Sequence, residues 1–345
     1  MLRFGINCAF RNAAEWRRPY DRFYGERLDL IAEADDLGFD TVWLTEHHFV
    51  DDGYLPSPVV MTAAIAARTS RIELGQGVLI LPFYHPIRLA EDAAVIDNLS
   101  GGRMMLGLGS GYRQSEFDGY GVNKRFRKSL MDEGIAIITG AWTRDDFSFH
   151  GKRYEVENVS IRPKPMQQDP HPPIWCGARS DAATERAARL GLHLIPQRGY
   201  RQYQLYIKTL LENGHDPSQM RIARNLECIV TDEDPEKVKA QLTDLDAQHS
   251  YRMNLYHDWL STAADAEIDT HLTDSAPPPQ TLVIGTPDVV AQAIKDFQER
   301  YFVTDIGVAS VPMGPIPEWF TTSLRRFAKE VVPLVSANEA EVGRQ

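Results

Sequence analysis

Three adjacent residues suited to proton or metal chemistry, Glu46, His47 and His48, follow the apolar run TVWLT at residues 41–45. A metal site, a catalytic acid or base, and a structural pair of histidines all fit these residue types. Neighbouring side chains of an extended strand point to opposite faces, so the two imidazoles cannot easily reach one ion. The spacing is neither His-x-x-x-His nor His-x-His. We therefore predict no metal, and a single catalytic histidine fits the strand end better, with a structural pair still open.

Glycines cluster in the segment GLGSGYRQSEF at residues 107–117. The third glycine comes too early for the dinucleotide fingerprint G-x-G-x-x-G, and no helix is predicted directly after it. The cluster is either a tight exit from a strand or a place where the backbone approaches a flat or phosphorylated ligand. Gly77, inside another apolar strand-like run, allows a bulge, a close ligand approach or ordinary strand variation.

Two arginines are candidates for binding an anion. Ser180 is a good N-cap for a helix over residues 181–190. The free N–H groups of that helix start, together with Arg179 and the Ser180 hydroxyl, would suit a phosphate. Arg113 is the second candidate cation. An ordinary cap with a solvated arginine, and a surface salt bridge at Arg113, remain the alternatives.

Strand-like and helix-like periods alternate along the whole chain, which predicts an α/β protein. Eight strand-then-helix units favour a (β/α)8 TIM barrel, and an open doubly wound sheet is the alternative. We predict one barrel domain over residues 1–335, with insertions after strands 4 and 7 at about 144–172 and 250–282, and a polar tail at 336–345. The first helix is predicted over 20–37, with Gly38 as its C-cap. The predicted strands are 3–7, 40–45, 71–81, 103–109, 173–177, 192–197, 221–231 and 304–311.

Charge and hydropathy exclude several classes of partner. The net charge of −11 disfavours nucleic acid and anionic membranes as partners. The chain has no apolar run of eighteen or more residues and no signal-peptide pattern at its start, so we expect a cytoplasmic protein with no membrane partner. Three cysteines without a CxxC pair argue against a disulfide framework.

Several motifs occur in order along nearly the whole chain. They are EHHF at 46–49, VLILPFYHPIRLAED at 78–92, GRMMLGLGSGY at 102–112 with EF and YG after it, the PPIW region within 163–188, and GTPDVV at 285–290. Together these motifs resemble the bacterial luciferase-like flavin monooxygenase superfamily. EHHF is most similar to the luciferase alpha-subunit and alkanal monooxygenase branch.

This resemblance implies a barrel that binds reduced FMN at the C-terminal mouth of its strands. His47 matches the catalytic histidine of the family, and Glu46 lies beside it near the flavin. Gly77 and Val78 match a non-prolyl cis peptide that supports the isoalloxazine ring. His48 is expected on the opposite face, in a structural role.

The resemblance also implies where the flavin phosphate binds. Arg179 and Ser180 match the positions that hold the phosphate. Luciferase has a phosphate-binding arginine and a reactive cysteine after the fourth strand, where this chain has Ser110 and Gly109. Arg113 could supply the missing charge. These differences make light emission a weaker expectation than the flavin site.

The implied reaction is monooxygenation, in which reduced FMN and O2 form a C4a-hydroperoxide that oxygenates a small, largely apolar organic substrate. No NAD(P)H site is recognisable, so we expect a separate flavin reductase as partner. Residues 250–282 match a mobile lid, and the family suggests a homodimer formed through helices at 58–69 and 85–99. The alternatives are an F420-dependent oxidoreductase of the same fold, a non-catalytic flavin-binding paralogue, and a metal-dependent barrel hydrolase.

Overall fold

The computed structural model describes residues 2–167, 169–197, 199–261 and 282–336 of the 345-residue chain. Residues 262–281, which make up most of the predicted lid, and residues 337–345 of the predicted tail lie outside the described residues. No helix in the described ranges has the length and apolar character needed to cross a membrane.

Within the described residues, eight parallel strands form a barrel. The strands of the described part of the chain are β1 Arg3–Cys8, β2 Thr41–Leu44, β3 Glu73–Gln76, β4 Leu79–Ile80, β5 Met104–Gly109, β6 Phe147–His150, β7 Glu155–Val159, β8 Ile174–Ala178, β9 His193–Pro196, β10 Ala223–Asn225, β11 Glu227–Val230, β12 Leu282–Gly285 and β13 Asp305–Ser310. Six neighbouring strands are joined in the order β1, β2, β3, β5, β8, β9, and β13 and β10 continue the sheet on the other side of β1. A parallel bridge between Leu194 and Ile222 brings the two edges together. The (β/α)8 prediction is therefore confirmed, and the open-sheet alternative is wrong.

Helices cover the outside of the barrel. The first of them buries Phe23, Leu30 and Ile31 along one face and ends at Gly38, whose φ of 91° gives the left-handed cap that the sequence predicts. The helices in the described ranges are α1 Tyr20–Leu37, α2 Pro58–Ala66, α3 Pro86–Ser100, α4 Gln114–Tyr120, α5 Arg127–Thr143, α6 Asp181–Arg189, α7 Tyr200–Glu212, α8 Pro235–Gln241, α9 Thr243–Ser261, α10 Pro287–Tyr301 and α11 Glu318–Arg326.

Four local predictions need correction. The third strand is interrupted at Gly77, between β3 and β4, and the seventh is divided into β10 and β11, because β11 leaves the barrel to pair with β12. Helix α4, which begins at Gln114 after the glycine cluster, was not predicted, since it spans only 7 residues and shows no clear period. Helix α9 continues through Ser261, where an irregular segment was expected. Its mixed aromatic and polar residues hide a helical pattern.

Two features secure the rest of the scaffold. Trp43, Met105 and Trp175 fill the barrel interior as a cluster distinct from the main core. At the N-terminal ends of the strands, the guanidinium of Arg221 bridges Glu73 at the start of β3 and Asp305 at the start of β13.

Strands β6 and β7 form an antiparallel hairpin within residues 144–172. The three cysteines are buried and none forms a disulfide.

Candidate functional site

The loops that follow β2 and β5 bring the chemically active side chains together. Glu46, His47 and His48 come directly after β2, while Tyr112 and Glu116 follow β5. Because parallel strands of a barrel share one C-terminal face, residues 65 to 72 positions apart become neighbours there. This face is where barrels of this type place catalytic groups.

The imidazole of His47 is held by one partner at each ring nitrogen. Nδ1 lies 2.8 Å from Oε1 of Glu116, and Nε2 lies 3.3 Å from the hydroxyl oxygen of Tyr112. Glu116 is fully buried and His47 is only 7% exposed, while Tyr112 is half-buried. This contact fixes the position of the ring at the barrel mouth.

Charges around the pair decide which nitrogen carries the proton. Burial lowers the pKa of His47, and the hydrogen bond to Glu116 opposes that effect only in part. Burial acts to raise the pKa of Glu116, but hydrogen bonds from His47 and the His48 N–H, together with Arg113, lower it overall. An ionised Glu116 can only accept, so His47 donates its Nδ1 proton and presents an unprotonated Nε2 to Tyr112.

Aromatic rings surround His47 on several sides. The ring centroids of Trp259 and Tyr54 lie 4.7 and 4.8 Å from that of His47, and those of Tyr112 and Tyr256 lie at 5.6 and 6.4 Å. Tyr256 and Trp259 belong to α9, which therefore reaches the barrel mouth. Burial raises the pKa of Tyr112, so its hydroxyl stays protonated and can donate.

His48 points away from this aromatic group, as the argument from extended backbone predicts. Its Nε2 lies 2.7 Å from Oε1 of Glu46, and its Nδ1 lies 3.0 Å from the hydroxyl of Tyr120. The carboxylate of Glu46 also accepts the Ile80 N–H at 2.6 Å and the Tyr84 O–H at 2.9 Å. Protein donors therefore occupy both oxygens of Glu46, and its predicted contact with a cofactor stays a prediction. The three residues do not converge on one point, since His47 faces Glu116.

The peptide bond between Gly77 and Val78 is cis, which confirms that prediction. Two glycines lie against the side chain of Val78: a Cβ at Gly109 would come within 2.5 Å of it, and one at Gly177 within 2.8 Å. Larger residues at either glycine would displace Val78. The cis peptide at Gly77, the Val78 side chain and these two glycines form one packed group, called the glycine cradle below.

Ser180 caps helix α6 as predicted, because its Oγ accepts the N–H of Ala183 at 3.2 Å. The exposed guanidinium of Arg179 lies 5.3 Å from the ring centroid of Tyr112, which links this helix start to the surroundings of His47. Ser110 follows Gly109 and is half-buried. A helix N-terminus with a serine and an arginine beside it provides donors for a phosphate.

Arg113 lies on the other side of the site. Its Nη1 donates to the carbonyl oxygen of His48 at 2.8 Å and to Glu116 at 3.0 Å, and its guanidinium lies 4.2 Å from the ring centroid of Trp259. These contacts hold Glu116 and the His48 backbone in place. The predicted use of Arg113 for a phosphate stays a prediction.

The sequence did not identify Glu116, although it belongs to the EF pair after the glycine cluster. A buried carboxylate in a short helix has no periodic signal, so only its position three residues after Arg113 offered a clue. Arg11 and Asp52 were missed as well, because they lie in separate loops and neither belongs to a recognisable motif. They form a buried ion pair with Nη1 and Oδ2 3.0 Å apart.

Polar atoms left over at the barrel mouth match a flat heterocycle with hydrogen-bonding edges. Nδ2 of Asn7, Oγ1 of Thr45 and Oε2 of Glu116 are buried and have no hydrogen-bond partner among the residues that the structure describes. Asn7 and Thr45 belong to the C-terminal ends of β1 and β2. Buried polar groups in proteins are normally paired, so these atoms fit a bound ligand or water. Together with the glycine cradle they fit a flavin-like cofactor.

Comparison with known proteins gives a consistent result. The model of the luciferase-like monooxygenase family matches residues 2–304. The oxygenase component of a flavin-dependent trigonelline monooxygenase from Acinetobacter baylyi is 30% identical over 200 residues, covering 56% of this chain and 53% of that protein. An F420-dependent glucose-6-phosphate dehydrogenase from Kineococcus radiotolerans is 28% identical over 350 residues, covering 96% and 97%.

A solved structure is also similar over the full length. Monooxygenase RslO1 from Streptomyces bottropensis superposes with a TM-score of 0.80 at 29% identity, covering 96% of this chain and 99% of that one. The chain nevertheless spans only about half the length of several curated relatives that it matches, at 46%, 55% and 53% of their sequences. The relatives include both flavin-dependent and F420-dependent enzymes.

Proposed function

The chain belongs to the luciferase-like monooxygenase family, and we propose that it is a flavin-dependent monooxygenase that uses reduced FMN and O2 to oxygenate a small, largely apolar organic substrate. The observation that carries the proposal is the buried pair of His47 and Glu116 at the barrel mouth, with Nδ1 and Oε1 2.8 Å apart. An imidazole held in one tautomer at the barrel mouth suits proton transfer during oxygenation.

The residues that would hold the cofactor fall into two groups. Gly77, Val78 and Gly109 would support the ring system, and Glu46 would lie near it. Arg179 and Ser180 at the start of α6 would bind the phosphate, with Ser110 as a further donor, and Arg113 would add positive charge from the other side of the site. Reduced FMN, when bound, supplies the electrons that activate O2 and so makes one oxygen atom available to the substrate.

The chain itself contributes proton transfer. With Glu116 holding the Nδ1 proton, Nε2 of His47 is the basic nitrogen, and the hydroxyl of Tyr112 lies 3.3 Å from it. A proton from the substrate can pass to Nε2 directly or through that hydroxyl. The lowered pKa of His47 keeps its imidazole neutral near neutral pH, which is the state that accepts a proton.

The chain also excludes water. His47 is nearly inaccessible, and the rings of Tyr54, Tyr112 and Trp259 cover it. A dry site strengthens each electrostatic interaction and protects reactive species from hydrolysis. Residues 250–282 were predicted as the lid, and the described part of that segment, at the end of α9, supplies Trp259 to this cover.

Replacing the histidine tests the proposal. We expect His47→Gln to lower turnover by roughly 10²–10⁴-fold, the usual contribution of a general acid or base, while FMN binding changes little. The matched control is His150→Gln, because His150 lies exposed on the β6–β7 hairpin. Oxygen consumption and FMN titration are measured for both variants with reduced FMN. A loss of less than about tenfold in His47→Gln would favour a non-catalytic flavin-binding protein.

An F420-dependent oxidoreductase is the second candidate function, because a relative with that cofactor matches almost the full chain. Parallel titrations of the protein with FMN and with F420 distinguish the two. Tighter binding of F420, together with no oxygen consumption by reduced FMN and protein, would replace the monooxygenase proposal with hydride transfer.

We further propose two partners. A separate flavin reductase would supply reduced FMN, which predicts that NADH-driven turnover depends on added reductase. A second copy of the chain would pack on α2 and α3, where Val60, Val95 and Leu99 are 67%, 52% and 54% exposed. Light scattering should then give a dimer mass, and Val95→Glu should lower it.

A further inference from the structure

A buried arginine, Arg11, lies next to the aromatic rings around His47, and the proposed proton transfer does not involve it. Arg11 belongs to the loop after β1 and is 3% exposed, and its partner Asp52, in the loop after β2, is fully buried. Nη1 of Arg11 lies 3.0 Å from Oδ2 of Asp52. Asp52 in turn accepts the N–H of Tyr54 through Oδ1 at 3.0 Å, which fixes the carboxylate.

Tyr256 lies beside the guanidinium, but the other edge of the guanidinium meets no acceptor in hydrogen-bonding geometry among the described residues. Nε and Nη2 of Arg11 are buried and have no hydrogen-bond partner within the described ranges. A buried donor without an acceptor costs roughly 1–3 kcal/mol, and more when the group is charged. Such a planar pair of donors matches a ligand oxygen or carboxylate in the geometry that arginine prefers.

The rings around Arg11 are those around His47. The guanidinium carbon lies 4.4 Å from the ring centroid of Tyr54, 5.2 Å from that of Tyr256 and 5.8 Å from that of Trp259. All three rings also contact the imidazole of His47. A planar molecule stacked on these rings would therefore reach the guanidinium and the imidazole together.

The charges in this group are nearly balanced. Asp52 offsets Arg11, and Glu116 offsets Arg113, while His47 is neutral. Burial acts to lower the pKa of Arg11, but Tyr256, Tyr54 and Asp52 raise it overall, so the guanidinium keeps its proton. The site therefore offers hydrogen-bond donors without a large net charge, which suits an oxygen acceptor on an aromatic ring.

We propose that Arg11 binds and orients the substrate, by donating from Nε and Nη2 to a carbonyl or carboxylate oxygen of an aromatic molecule stacked on Tyr54 and Trp259. This inference rests on the proposed function, because it concerns the substrate of the same site. It narrows the proposed substrate class from small apolar organic molecules to aromatic molecules that carry an oxygen acceptor. Arg11 thereby becomes a determinant of specificity.

Three probes of nearly equal shape test the proposal: acetophenone, benzoate and ethylbenzene. Their binding to the FMN-loaded protein is followed by quenching of tryptophan fluorescence, to which Trp259 contributes. We expect acetophenone or benzoate to bind about tenfold more tightly than ethylbenzene, as one good charge-assisted hydrogen bond predicts. Tighter binding of benzoate identifies a carboxylate as the ligand group, and tighter binding of acetophenone identifies a neutral carbonyl.

Arg11→Met should abolish this preference while ethylbenzene binding changes little. Because that variant leaves Asp52 buried without a partner, the double variant Arg11→Met with Asp52→Asn is measured beside it, and thermal unfolding verifies that both are folded. Arg17→Met, at an exposed position of the same loop, is the matched control and should keep the preference.

The probe titrations measure the preference for oxygen acceptors, and oxygen consumption measures the flavin reaction, so the two proposals are tested separately. Equal binding, or no binding, of the three probes to the wild-type protein would overturn the proposal, and so would a preference that survives in both variants. The titrations are repeated without FMN. A preference that persists in a protein with no flavin-dependent oxygen consumption would contradict the proposed function and leave the Arg11 site standing.

Discussion

Oε1 of Glu116 lies 2.8 Å from Nδ1 of His47, although the two residues are 69 positions apart in the chain. The same oxygen accepts hydrogen bonds from the backbone N–H of His48 and from Nη1 of Arg113, each at 3.0 Å. One carboxylate therefore fixes the tautomer of the imidazole and the path of the loop that carries it. Oε2 of Glu116 has no hydrogen-bond partner in the described part of the chain.

The first prediction concerns this carboxylate. Glu116→Gln keeps the shape of the side chain but removes the negative charge that raises the pKa of His47. We expect turnover to fall by roughly 10–100-fold, because the second partner that orients a catalytic or ligating histidine typically contributes that much. The acidic limb of the pH profile should move to lower pH, since a base with a lower pKa becomes active earlier. Turnover measured against pH tests both effects, and an unchanged profile would show that Glu116 does not act through His47.

The second prediction separates two roles of Glu46. Its Oε1 accepts from both Tyr84 and His48, so Glu46→Gln places an N–H₂ group or a weaker acceptor against two donors. We expect the free energy of unfolding to fall by about 2 kcal/mol. Urea denaturation measures that change, and an FMN titration of the same variant measures the dissociation constant. A large loss of FMN binding without a loss of stability would indicate a direct contact with the cofactor instead.

The third prediction uses two glycines with different surroundings. A Cβ at Gly107, in β5, would come within 1.6 Å of the backbone oxygen of Gln76, so Gly107→Ala must push two barrel strands apart. We expect it to destabilise the protein by more than about 3 kcal/mol, or to prevent folding. Gly25, inside α1, has nothing within 4 Å of its Cβ position. Gly25→Ala should therefore stabilise by about 0.5–1 kcal/mol, and thermal unfolding compares the two.

The fourth prediction concerns stability at acid pH. Asp35 accepts the backbone N–H groups of Ser70, Arg71 and Ile72 at 2.7, 3.0 and 2.7 Å, which ties the end of α1 to the entry into β3. Burial acts to raise the pKa of Asp35, but these hydrogen bonds lower it below its usual value of 3.8.

Because the pKa of Asp35 is lower in the folded state, its contribution to the free energy of unfolding is complete above the pKa of the unfolded state. That contribution is lost as pH falls through the pKa of the folded state. The free energy of unfolding of Asp35→Asn should therefore be about 2 kcal/mol lower than that of the wild type near neutral pH. The difference from wild type should shrink below about pH 3. Urea denaturation across that range gives the two curves, and a constant difference would exclude ionisation of Asp35 as the cause.

The sequence by itself determined the barrel and the positions of its main elements. Helix periods, caps and strand patterns are local, so they can be read from neighbouring residues: α1 was predicted at its observed bounds with Gly38 as its cap, and Ser180 caps α6. The cis peptide at Gly77 was implied by a motif, and the structure has it. The opposite directions of His47 and His48 followed from the geometry of an extended backbone.

Only the tertiary structure decided which side chains meet. The pairing of His47 with Glu116, the ion pair of Arg11 with Asp52, and the approach of Tyr256 to Tyr54 across 202 positions all join separate loops. Local periodicity carries no information about such contacts, because they depend on how the strands close into a ring. The barrel brings the loop ends to one face, and that closure turns scattered polar residues into a site.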